Sequence, residues 1–151
     1  MKKEPSDETN RRPATRLVRG GTRRSGFDET AEAIFMTSGF VYASAAEAEA
    51  AFKGERDRFV YSRFANPTVQ MFERRLALVE GAELCKATAT GMAAVFTALA
   101  CFLRAGDRLV ASRALFGSCH YVVSEILPGF GIQTELVDGR DNAAWQRALA
   151  R

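Results

Sequence analysis

Between residues 84 and 142 the chain alternates short apolar runs with longer amphipathic ones, and this alternation constrains the fold more than any other feature. The run 84–88 reads as a strand and 91–103 as a helix. After the Gly106-Asp107 turn, 108–112 reads as a second strand, and 118–127 as a helix that Pro128-Gly129 breaks. A third strand follows over 132–137, and Asp141 caps a last helix beginning near Asn142. Strands joined through helices by short connections imply right-handed crossovers and an α/β fold built on a mostly parallel sheet. Such a sheet needs helices on both faces and places ligands at the carboxyl ends of its strands. The turns at 88–92 and 112–117 should therefore line one crevice.

Upstream, Ser44-Ala45-Ala46-Glu47 has the form of a capping box, and the alanine-rich run after it favours a short surface helix ending at Gly54. Residues 56–65 follow neither the helical nor the strand period and read as a loop or an irregular extended segment. Asn66-Pro67-Thr68 then opens the clearest helix, because Asn can cap and Pro at the first helical position gives up an N–H that would be unpaired anyway. Val69, Phe72, Leu76 and Val79 recur at the spacing of one apolar face, and Gly81 ends the helix.

The charge is unevenly placed. Residues 1–26 carry eight basic and three acidic side chains, although the net charge of all 151 residues is only +3. The basic character belongs to a solvated, flexible tail and not to a face of the folded body, which argues against nucleic acid as a partner. The tail lacks the apolar core of a secretory signal, and its acidic residues fit a mitochondrial presequence poorly. Cys85, Cys101 and Cys119 have no metal-ligand spacing, and His120 is the single histidine. Their odd number, with two in apolar runs, fits reduced, packed thiols in the cytoplasm. The longest apolar stretch, 92–103, falls well short of the roughly 20 residues that span a bilayer, so it reads as a buried helix and no membrane partner is expected.

Three groups of residues could carry chemistry. Thr90-Gly91-Met92 lies where a strand turns into an apolar helix, which would aim free N–H groups and the positive end of the helix dipole at the crevice. That suits a phosphate, with Gly91 allowing close approach; the plain alternative is a tight turn that contains a glycine. In Tyr61-Ser62-Arg63, an extended backbone would point the phenol and the guanidinium the same way, so that both grip one anion. The alternative there is a surface Arg and a half-buried Tyr beside a helix cap. Phe116, in Leu115-Phe116-Gly117, is either an aromatic at the crevice mouth or a core residue.

The ordered set Tyr-Ser-Arg-x-x-Asn-Pro-Thr, Thr-Gly-Met-Ala-Ala and Ser-Arg-x-Leu-Phe-Gly-Ser resembles the amino-terminal part of the pyridoxal 5'-phosphate enzymes of cysteine and methionine metabolism. The resemblance runs from about residue 14 to the end of the chain and implies a partial fold type I enzyme preceded by an extended segment. It implies that Tyr61 and Arg63 bind the cofactor phosphate in a neighbouring subunit's site. The N–H groups of Gly91 and Met92 would bind phosphate within the same subunit, and Phe116 would stack on the pyridine ring. Many relatives carry Tyr at that last position, and Phe keeps the stacking without the hydroxyl. The implied partners are other subunits, in a dimer sharing sites and a tetramer, and a small amino-acid substrate.

The implied reaction replaces the succinyl group of O-succinylhomoserine with sulfide. Synthesis of cystathionine, γ-elimination of methionine and use of an acetyl ester share most of the path, and a catalytically inactive stand-alone module is a further alternative. Such enzymes need a Schiff-base lysine in a Ser-x-Thr-Lys context. Lys2, Lys3, Lys53 and Lys86 all lack it, so no catalytic residue is assigned in this chain. The expectation is an amino-terminal fragment, inactive alone. It would comprise a basic tail over 1–26, a segment with the inter-subunit phosphate loop over 27–66, and the incomplete first part of the cofactor domain over 67–151.

Overall fold

A computed structural model describes residues 10–150. They fall into two compact units, one ending at Ala87 and the other beginning at Thr88.

The first unit is helical: α1 (Pro13–Arg19), α2 (Ala45–Phe52) and α3 (Pro67–Glu80). The expected flexible tail is corrected for the stretch that forms α1. There Pro13 stands in the first turn, and α1 packs against α3. Arg16 Nη1 donates to Leu78 O at 3.0 Å, and Arg75 Nε donates to Gly20 O at 2.9 Å. These basic side chains serve as hydrogen-bond donors to backbone carbonyls, a role that counting charges does not reveal. Gly20 and Gly21 allow the close passage, since a Cβ on Gly20 would lie 2.6 Å from Arg16 O and Gly21 has φ +69°. Residues 1–9, the start of the expected tail with Lys2 and Lys3, lie outside the described residues.

Half of the capping box forms as read, with Ser44 Oγ accepting from Glu47 N at 3.1 Å, while Glu47 Oε2 accepts from Ala43 N at 2.7 Å, one residue before the N-cap. On α3, Asn66 Oδ1 accepts from Thr68 N, and Gly81 closes the helix at φ +67°. The burial of α3 differs from the pattern. Met71 is buried, whereas Val69, Phe72 and Leu76 are exposed. Periodicity locates an apolar stripe but does not show whether this chain covers it.

In the second unit, α4 (Gly91–Phe102) is followed by β1 (Arg108–Ser112), α5 (Gly117–Tyr121), a π-helical turn (Val122–Ile126), α6 (Leu127–Gly129), β2 (Gln133–Val137) and α7 (Asn142–Leu149). β1 and β2 pair in parallel, Arg108 opposite Gln133 and Ser112 opposite Val137. Val122, Leu127 and Ile132 form the buried cluster, with Met92, Phe96, Leu99 and Leu109 packed against it. The helix expected to break at Pro128 instead widens before it, as Leu127 N bonds back to Val122 O. A proline cannot donate to the carbonyl four residues earlier, and a π turn accommodates that loss.

Three further expectations are corrected. Residues 84–88 form no strand, because they pair with no neighbour among the described residues; Ala87 N donates instead to Glu73 Oε1 at 2.9 Å. Helix α4 is half-buried, not buried, because only one side of it meets the cluster while Phe102 at its end is exposed. Cys101 is exposed on α4, so it is not a packed thiol, and all three cysteines are free.

Candidate functional site

Tyr61 and Arg63 are brought together, though not by an extended backbone. Tyr61 O accepts from Phe64 N at 2.9 Å and from Ala65 N at 3.2 Å, so residues 61–65 fold into a turn. The turn carries the Arg63 guanidinium to 5.4 Å from the centroids of both the Tyr61 and the Phe64 rings. Arg63 is exposed and makes no ion pair among the described residues. The alternative of a surface Arg beside a half-buried Tyr describes the packing only in part, since Tyr61 also makes an antiparallel bridge to Gly39.

Beneath this turn lies a network that the sequence patterns did not reveal. Asn66 is the buried polar side chain among the described residues. Its Nδ2 donates to Ser62 Oγ at 2.9 Å and to Phe35 O at 3.0 Å. The Ser62 hydroxyl donates to Thr37 O, and Ser62 N donates to Ser38 O at 2.8 Å. Reading Asn66 only as a helix cap used its acceptor and left its two donors unassigned. A serine four residues before a capping Asn was the available signal.

In the second unit, Thr90 caps α4 by accepting from Ala93 N at 3.0 Å, and its carbonyl accepts from Ala94 N at 3.0 Å. The N–H groups of Gly91 and Met92 therefore remain without partners among the described residues, at the positive end of a 12-residue helix. Nothing lies within 4 Å of where a Cβ on Gly91 would stand, so the approach is open. The Met92 side chain packs on the apolar cluster and leaves only its backbone to act. Phe116, at the N-cap of α5, is 75% exposed and is not packed into the core of this chain.

Each unit by itself offers groups of the kind that pyridoxal phosphate needs: in the second, two free donors at a helix start and an exposed aromatic face, and in the first, an exposed guanidinium. The cofactor's aldehyde finds no amine handle among the described residues. Lys53 is ion-paired with Glu49 at 2.5 Å and Lys86 with Glu73 at 3.4 Å, and residues 88–150 contain no lysine. A cleft of about 630 Å³ lies elsewhere, in the first unit, between Gly21, Met71, Leu78 and Lys86, and holds none of the expected site residues. No group of three or more metal-ligating side chains occurs among the described residues, and no helix there is long and apolar enough to cross a membrane.

A family profile described as Cys/Met metabolism PLP-dependent enzyme matches residues 14–151. The chain belongs to this family. Within the family, it is 64% identical over 137 residues to an O-succinylhomoserine sulfhydrylase of Mycobacterium tuberculosis, covering 91% of this chain and 34% of the relative. An O-succinylhomoserine sulfhydrylase of Pseudomonas aeruginosa is 43% identical, with 89% of this chain and 33% of the relative covered. The chain thus spans about a third of the length of these relatives. Among solved structures, the metY protein of Campylobacter jejuni, crystallised with N'-pyridoxyl-lysine-5'-monophosphate, superposes with a TM-score of 0.84 at 28% identity, over 91% of this chain and 34% of that one. The fold is accordingly part of a fold type I pyridoxal-phosphate enzyme, as the resemblance implied.

Proposed function

We propose that the protein carrying this chain is a pyridoxal-phosphate-dependent transferase that exchanges the succinyl group of O-succinylhomoserine for sulfide, giving homocysteine and succinate. The observation that carries this reading is the 64% identity, over 91% of the chain, to a relative named for that sulfhydrylase. Bound pyridoxal phosphate would supply an electron-accepting ring that lets an amino acid lose its Cα proton and release a γ-substituent.

The chain's own residues hold that group. The N–H groups of Gly91 and Met92 bind its phosphate, helped by the α4 dipole. Arg63 and Tyr61 reach the phosphate of a neighbouring subunit, so residues 27–66 form an inter-subunit contact segment and those from 67 onward begin the cofactor-binding domain. Phe116 offers a π-face that orients the ring, and having no hydroxyl it moves no proton. The protein works in the cytoplasm as a dimer sharing its sites, within a tetramer, in methionine biosynthesis.

The test is to supply the protein, purified from its source organism, with O-succinylhomoserine and either sulfide or cysteine as nucleophile. Homocysteine formed from sulfide is the expected product. Turnover with cysteine alone would overturn the sulfhydrylase reading in favour of cystathionine synthesis.

A further inference from the structure

The turn that carries Arg63 has little holding it from outside. Arg63 is exposed, and Phe64 is 73% exposed. The turn's own bonds onto Tyr61 O close it, and what ties it to the rest of the unit lies below it and passes through Ser62. The Ser62 hydroxyl accepts from Asn66 Nδ2 at 2.9 Å and donates to Thr37 O, while its backbone N–H is held by Ser38 O at 2.8 Å. Asn66 in turn is fixed by Phe35 O at 3.0 Å and by the start of α3, whose Thr68 N it caps at 2.9 Å. Thr68 closes the ring, because its Oγ1 accepts from Phe35 N at 2.9 Å. Ser62 therefore sits between the phenol and the guanidinium and is tied both to the helix start and to the segment 35–38.

We infer that Ser62 and Asn66 are positioning residues that preset the Tyr61–Arg63 turn for binding a phosphate, acting on affinity through Arg63 and not through any contact of their own. The inference rests on the phosphate role proposed for Arg63. Its physical basis is preorganisation. An exposed arginine on a loose turn loses backbone freedom when it binds, whereas one on a turn already fixed by hydrogen bonds has given up that freedom on folding.

The test is a double-mutant cycle in the protein purified from its source organism, read as affinity for pyridoxal 5'-phosphate by fluorescence titration, with pyridoxal as the control that lacks a phosphate. Ser62→Ala changes no charge and leaves the Asn66 cap in place. Asn66→Ser keeps a capping hydroxyl while removing both amide donors, and it serves if Ser62→Ala fails to fold. Each should weaken binding of pyridoxal 5'-phosphate by about two- to tenfold, with no change for pyridoxal. Ser62→Thr, which keeps the hydroxyl, should bind as the parent does. On an Arg63→Ala background, Ser62→Ala should have no further effect. An equal loss on both backgrounds, or no loss on either, would overturn the positioning role while leaving the phosphate role of Arg63 intact. If Arg63→Ala itself leaves the affinity unchanged, the phosphate role fails and the inference fails with it.

Discussion

The guanidinium of Arg63 stands 5.4 Å from the centroid of the Tyr61 ring, in a turn closed by hydrogen bonds onto the Tyr61 carbonyl. The arrangement leaves the guanidinium donors facing solvent with no carboxylate of the described residues to occupy them. If an anionic phosphate is their target, Arg63→Ala removes charge-assisted bonds worth about 1.5–3 kcal/mol, and cofactor affinity should fall on the order of tenfold to a hundredfold. Arg63→Lys should recover only part of this, because an ammonium keeps the charge but not the forked geometry. Equilibrium titration with pyridoxal phosphate checks both values.

Whether Arg63 serves its own subunit or a neighbour can be read by complementation. Arg63→Ala and Gly91→Pro damage opposite sides of the proposed phosphate site. If the site is shared, a mixed dimer of the two variants contains one undamaged site, and activity should return on mixing. Confirmed mixed dimers without recovered activity would place Arg63 in the site of its own subunit.

Phe116 is 75% exposed, so its removal should cost the apoprotein little, within about 0.5 kcal/mol as for other surface positions. Phe116→Leu should instead weaken the cofactor-bound form, by about 0.5–1.5 kcal/mol for the lost stacking. Phe116→Tyr should leave affinity nearly unchanged. Melting temperatures with and without cofactor separate these outcomes, and a Leu penalty of equal size in both forms would remove the stacking role.

The start of α2 should loosen in acid. The Ala43 N–H that Glu47 accepts holds its carboxyl below its ordinary value of 4.5, with Arg58 and Arg56 adding to the effect. A folded pKa below the unfolded one means that the stabilisation is complete above about 4.5 and is lost as pH falls through the lowered folded value. The Ala43 amide, followed by NMR from pH 6 downward, should lose protection below about 4.5, and Glu47→Gln should abolish that pH dependence.

The elements that could be read from sequence are those with a complete local signal. Asp141, Thr90, Asn66 and Ser44 each cap the helix they precede, and β1 falls on the residues expected of it. What escaped depends on distant partners. The run 84–88 has strand composition but lacks a neighbouring ladder, and composition alone does not supply hydrogen bonds. Arg16 of α1 looks like solvated charge until its carbonyl partner on α3, Leu78 O, is seen, and Arg75 of α3 donates the other way, to Gly20 O just after α1. In the second unit, Gly91 and Phe116 stand at helix starts on the turns expected there, whereas in the first unit the bonds of Ser62 and Asn66 depend on residues 35–38, distant in sequence.

Two substitutions at Gly91 test most directly whether the start of α4 binds a phosphate through its backbone donors. Gly91→Ala keeps the N–H and adds a methyl group that would meet nothing within 4 Å in this chain. Gly91→Pro removes the N–H at a first helical position where proline is tolerated, and the extended Thr90 before it, at φ −150° and ψ 159°, suits a following proline. Affinity for pyridoxal phosphate should stay within about threefold of the parent in the Ala variant and fall on the order of tenfold to a hundredfold in the Pro variant, as for a lost hydrogen bond to a charged group. Equal affinity in the two variants, with α4 intact in both, would contradict phosphate binding there.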